Sequence, residues 1–147
     1  MNDASQAAWA ITPEKVELAV RRLVEAGRPR KVILFGSYVQ GEPDRDSDLD
    51  VLVVTDNSVA NARKESARLR AALRGIRMCV DLLVVREGDF NRLKDKIGLI
   101  YREAVRHGRV AYEAGGTASP QVMRRNGWYT RRETYTTRDW AGAIRRR

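Results

Sequence analysis

The chain has a single cysteine, Cys79, and a single histidine, His107, and it contains no apolar run near the roughly 18 to 20 residues that cross a bilayer. One cysteine excludes an internal disulfide, and it excludes a thiolate metal site built from this chain alone. Cys79 lies in the apolar run Met78-Cys79-Val80 and is expected to be a small buried hydrophobe. His107 sits near the expected C-terminus of a helix, where an imidazole meets the last carbonyls more often than it ligates metal or catalyses. The N-terminus lacks a basic-then-apolar signal pattern, so no membrane role is expected and the cytoplasm is the expected compartment.

What is present suits one compact unit: 147 residues, 43% of them hydrophobic. The net charge of +9 is unevenly placed, because from Ala114 onward eight arginines face only Glu133 and Asp139. Residues 1–113 are therefore nearly balanced, and the isoelectric point alone does not mark the chain as a nucleic-acid binder. Ala114 to Pro120 (AGGTASP) reads as a linker. Beyond it, Trp128, Tyr129, Tyr135 and Trp140 alternate with Arg124, Arg125, Arg131, Arg132 and Arg138, a mixture that single-strand nucleic-acid binders use. The same stretch has almost no apolar periodicity, which favours a flexible or partner-ordered tail. The expected division is a folded domain over 1–113 and a tail over 114–147, with any nucleic-acid contact confined to the tail.

Thr12-Pro13-Glu14 supplies a helix cap, a first-turn proline and a first-turn acid, and Val16, Ala19, Val20, Leu23 and Val24 follow at helical spacing until Gly27 and Pro29. Lys31 to Phe35 predicts a strand, Asp48 to Val54 a second, and Met78 to Val85 a third. Asn57 to Leu73 predicts a helix whose Arg63, Lys64, Arg68, Arg70 and Arg74 read as a solvated face. A last long helix follows a cap at Asp89, with Phe90, Leu93, Ile97, Ile100, Tyr101, Ala104 and Val105 in register, and Val110 to Tyr112 predicts a short edge strand. The expected fold class is α/β (α+β), with a mixed sheet of three or four strands covered by helices on one side.

Three acids stand out against this frame. Asp48 and Asp50 flank Leu49, and residues two apart on a strand share a face, so their repulsion calls for a bound cation or raised pKa values. Asp81 interrupts the apolar strand MCVDLLVV, where an unpartnered buried carboxylate costs several kcal/mol. A neighbouring strand can bring it beside the first pair, and clustered carboxylates are a site for hard divalent cations such as Mg²⁺. Gly36-Ser37 ends the first strand and is able to open a short helix, where backbone amides and the Ser37 hydroxyl meet phosphate oxygens.

Gly36-Ser37, ten further residues, Asp48-Leu49-Asp50 and a later strand acid together resemble the signature of the DNA polymerase beta superfamily of nucleotidyltransferases. Within it, the short chain and the ending IYREAVRHGRVAYE are similar to the minimal nucleotidyltransferases, often encoded beside a HEPN-domain partner. The resemblance implies a polymerase-beta-like fold in which Gly36, Ser37 and Ser47 hold the nucleotide, while Asp48, Asp50 and Asp81 are the catalytic acids and hold two Mg²⁺ ions. It implies ATP as co-substrate, transfer of AMP to a hydroxyl, and as leading acceptor a tyrosine of a HEPN-domain toxin that the chain would silence as its antitoxin. Two other readings stay open: a module that masks its partner without transfer, and a free-standing enzyme acting on a small hydroxylated compound. One departure stands out, since many members carry a cation where this chain has Gln40. Arg45, Arg63 or a residue of a partner chain are the candidates to replace it.

Overall fold

The computed structural model describes residues 8–41, 48–96, 99–114, 121–124 and 127–130. Helix α1 (Pro13–Gly27) begins as its sequence requires: Thr12 is the N-cap, its hydroxyl accepting from the Lys15 amide at 3.3 Å, and Pro13 opens the first turn. Its buried stripe is Val16, Ala19, Val20, Leu23 and Val24. The stop differs from the expectation. Gly27 is still helical, and Arg28 takes the left-handed conformation (φ 43°), its amide returning to the Val24 carbonyl at 2.9 Å before Pro29 prevents continuation. Gly27 has another use, because a Cβ there would lie 2.8 Å from Leu69 Cδ2 on the helix packed against it.

Strand β1 (Lys31–Phe35) leads through Gly36 into the single turn α2 (Ser37–Gln40), and β2 (Leu49–Thr55) follows, antiparallel to β1. Helix α3 (Ala62–Ala72) then crosses over so that β3 (Val80–Arg86) pairs parallel with β2. Helix α3 starts later than the sequence suggests. Asn61 is its cap, accepting from the Arg63 and Lys64 amides at 3.0 and 3.1 Å, while Asp56 holds the Ser58 amide in a side-chain turn that competes with helix. Helices α4 (Glu87–Leu93) and α5 (Ile100–His107) precede β4 (Arg109–Glu113), which pairs antiparallel with β1, so the sheet order is β3-β2-β1-β4 with β4 at an edge, as expected. In the basic C-terminal stretch, β5 (Gln121–Arg124) and β6 (Gly127–Thr130) form an antiparallel ribbon. No helix among the described residues is long and apolar enough to cross a membrane.

The four-stranded mixed sheet matches the expected fold class, but its helical cover lies on two faces. Val32, Leu34, Leu49, Val51, Val53 and Leu82 face α1 and α3. Ile33, Phe35, Leu52, Val54 and Val85 face Phe90 of α4 and Ala104 of α5. The physical reason is visible in VILF and VLVV: strands buried on both faces read as continuous apolar runs rather than as alternation. The single long helix expected after Asp89 is two helices laid on that second face. Asp89 caps neither; its carboxylate sits between Arg86 Nε (3.1 Å) and Arg92 Nη2 (2.7 Å). Cys79 also departs from expectation: its carbonyl accepts from the Leu49 amide at 2.9 Å, yet its side chain is exposed, because only the neighbouring Met78 turns into the core.

Candidate active site

Strand register brings two of the three acids together. Asp50 is opposite Phe35 on one side and Asp81 on the other, so one level of the sheet carries the end of β1 and both carboxylates. Leu49 and Val51 face α1, and Leu82 does too, so by alternation Asp50 and Asp81 point to the face that α5 covers. Asp48 precedes the strand on the same alternation and is exposed, as is Asp81, while Asp50 is half-buried.

Gly36 ties the turn to this pair. Its backbone (φ 80°, ψ −161°) is one that L side chains rarely adopt, and a Cβ there would run into Asp50 Oδ2 and stand 3.0 Å from Asp50 Cγ. The chain after β1 therefore passes directly against the Asp50 carboxylate. Tyr38 and Val39 anchor α2 on the core shared with α1, and burial, aided by the Glu14 charge, pushes the Tyr38 phenol above its ordinary value. Ser37 is the first residue of α2, and while the Gln40 amide donates to the Gly36 carbonyl at 3.1 Å, the amides of Ser37, Tyr38 and Val39 have no partner inside the helix. Ser47 and Arg45 lie outside the described residues.

The Asp50 carboxyl is held above the usual carboxylate range, first by burial and then by the charges of Asp81, Asp48 and Glu103. Glu103 is the residue that sequence reasoning missed. It belongs to α5, and packing of Ala104 against Ile33 and Phe35 sets that helix over the acids. Its only signal in the sequence was an acid beside an apolar helical stripe, which does not say which strand end the helix will cover. Among the described residues no lysine or arginine pairs with any of these four carboxylates. Nor, among them, do three such groups converge tightly enough to enclose a metal ion by themselves. Oxygen-only donors with uncompensated charge nevertheless suit Mg²⁺, which keeps waters and takes phosphate ligands instead of a complete protein cage.

An open groove of about 820 Å³ is lined by Gln40 of α2 and by Arg102, Glu103, Arg106 and His107 of α5, and of the four acids Glu103 is the one that lines it. Arg63, a sequence candidate for the cation missing at Gln40, is in the first turn of α3. That helix begins beyond Thr55, at the opposite end of β2 from Asp50, so Arg63 is not placed to serve the Gly36 turn.

Known proteins share parts of this arrangement. Over 46 residues the chain is 44% identical to a Methanocaldococcus jannaschii protein provisionally named a protein adenylyltransferase; the match covers 27% of this chain and 46% of that protein, so the chain spans about half the relative's length. A crystal structure of a provisionally assigned nucleotidyltransferase from Sulfolobus solfataricus superposes with a TM-score of 0.50 at 19% identity, covering 76% of this chain and 86% of that one, a likeness of fold. A toxin-antitoxin crystal structure with AMP-PNP reaches a TM-score of 0.43 at 23% identity over 67% of this chain and 74% of that one. The sequence pattern of the nucleotidyltransferase domain family matches residues 14–111, and the chain belongs to that family.

Proposed function

We propose that this chain transfers a nucleotidyl group from a nucleoside triphosphate to a hydroxyl, with ATP as donor and a protein tyrosine as acceptor: the tyrosine oxygen bonds to the α-phosphorus, the bond from that phosphorus to the bridging oxygen breaks, pyrophosphate leaves, and Asp81 or water takes the hydroxyl proton. One observation carries the reading: Asp50 is fixed between the Gly36 turn and its register partner Asp81, so a phosphate-accepting backbone and paired carboxylates meet at one point. The name of the M. jannaschii relative supports a protein acceptor. The resemblance to minimal nucleotidyltransferases supports a HEPN-domain toxin as that protein, with this chain as its antitoxin.

In this reading Gly36, Ser37 and Ser47 bind the phosphates, and Asp48, Asp50 and Asp81 hold Mg²⁺, as two ions. The metal, when bound, neutralises phosphate charge and lowers the pKa of the attacking hydroxyl. The chain's own part is positional. Gly36 lets the turn pass directly against the Asp50 carboxylate, the β2–β3 pair holds Asp50 and Asp81 at one level, and α5 packs on the sheet face to which they point. In this reading residues 1–113 carry the transfer unit, 114–147 are a basic appendage, and the protein works in the cytoplasm.

The test incubates the full chain with α-labelled ATP, Mg²⁺ and a HEPN-domain protein encoded beside it. Label on the partner, lost in Asp48→Asn and Asp50→Asn, is the expected result. Partner binding without label establishes a masking module, and label on a small hydroxylated compound alone moves the acceptor class.

A further inference from the structure

The turn that is to hold a polyphosphate brings no positive charge of its own: α2 reads Ser37-Tyr38-Val39-Gln40. Three of the acids at the site are within electrostatic reach of Asp50, which makes the need for cations greater. The fold supplies them from another element. Strand β4 begins at Arg109, whose register partner is Leu34, so the last turn of α5 lies beside the end of β1 and the Gly36 turn. Arg102 and Arg106 are four residues apart and so share one face of α5, and both line the groove that Gln40 of α2 also lines. Neither has an ion-pair partner among the described residues. The groove, at about 820 Å³, is in the size range of a nucleotide-sized ligand site.

We infer that Arg102 and Arg106 bind the polyphosphate of the donor nucleotide from the α5 wall, opposite the Gly36–Ser37 turn, and supply the charge that α2 lacks. Guanidinium groups suit the task, since their planar fork donates two hydrogen bonds to one phosphate and stays charged at any physiological pH. The inference rests on the nucleotidyl-transfer reading and adds to it two binding residues that lie outside the Gly36-Ser37 and Asp48-Leu49-Asp50 signature.

The experiment is calorimetric titration of the full chain with ATP, AMP and inorganic tripolyphosphate in Mg²⁺, for the wild type, Arg102→Gln, Arg106→Gln, the double variant and Arg63→Gln. Each groove variant is expected to weaken ATP binding roughly tenfold and the double variant more, as lost charge-assisted hydrogen bonds do. AMP binding should be unchanged, tripolyphosphate should compete with ATP only where the arginines are present, and Arg63→Gln should behave as wild type. Arg106→Lys should recover part of the loss, and equal melting temperatures show that the variants remain folded. If the double variant binds ATP as the wild type does, or loses AMP and ATP alike, the inference is overturned while the transfer reading stands. If the wild type itself takes up no ATP in Mg²⁺, the transfer reading fails and takes the inference with it.

Discussion

Asp50→Asn should raise the stability of the metal-free protein while abolishing transfer. The Asp50 carboxyl is held above the ordinary 3.8 by burial and by Asp81, Asp48 and Glu103. A carboxyl raised in this way binds protons more tightly folded than unfolded, so stability falls as pH rises from about the unfolded value through the folded one, and the full cost is present at neutral pH. Register partners on adjacent strands stand about 5 Å apart, and two unit charges at that distance repel by about 0.8 kcal/mol in water and about 3.3 at an effective dielectric of 20. Asp81 is exposed and Asp50 half-exposed, so screening puts the contribution near the lower figure, about 1 kcal/mol. For a chain of this length that is a melting temperature about 2 to 4 °C higher than wild type. The assay is thermal unfolding followed by circular dichroism, in EDTA and in Mg²⁺, from pH 3 to 8. The advantage of Asp50→Asn should vanish below the ordinary carboxylate value and plateau near neutrality. Added Mg²⁺ should reverse the order, since a ligand at tenfold its Kd stabilises the wild type by about 1.4 kcal/mol and the variant has lost a donor. A metal-free variant that melts below wild type, or one that gains as much from Mg²⁺, refutes the picture of an uncompensated carboxylate cluster.

Gly36→Ala should cost about 1 to 3 kcal/mol from its backbone conformation and, by driving a Cβ into the Asp50 carboxylate, remove transfer activity even well below its melting temperature; wild-type turnover in the folded variant would dissolve the link between turn and acid. Leu52→Ala empties a fully buried position on the α4–α5 face and should lower unfolding free energy by about 2 to 5 kcal/mol in a guanidinium titration; a loss under 1 kcal/mol would mean that this second face is not a packed core. Thr12→Ala removes the α1 cap and should cost about 1 kcal/mol with unchanged transfer kinetics, because α1 packs on the face away from the acids; a changed rate at equal folded fraction would contradict that separation.

The strands and α1 were legible because each rests on local information. VILF and VLVV are long enough to declare strands, and Thr12-Pro13-Glu14 satisfies the first-turn amides whatever the rest of the chain does. The misses share a cause: each depends on what a segment packs against. Three-and-four spacing from Phe90 to Val105 is satisfied equally by one helix and by two that bury the same stripe on one sheet face. The isolated glycine at 27 looked like a stop, and proves to be room for Leu69. Cys79 in an apolar run looked buried, though a residue entering a strand has two sides.

The site divides along the same line. Asp81 was legible as an anomaly, a charge inside an apolar strand, but its meaning lies in the pairing of Asp50 with Asp81, which exists only because the α3 crossover sets β3 parallel to β2 in that register. A slip of one residue would turn Asp81 to the α1–α3 face and bring Val80 or Leu82 opposite Asp50 instead. What holds the register is the core rather than the acids: Leu82 is buried among the residues facing α1, and Val85 among those facing α5, so a slip would exchange both sets at once. The carboxylates thus sit together against their own repulsion because the hydrophobic pattern of two strands leaves them no alternative. A sequence in which that pattern were shifted by one position would keep all three acids and lose the site.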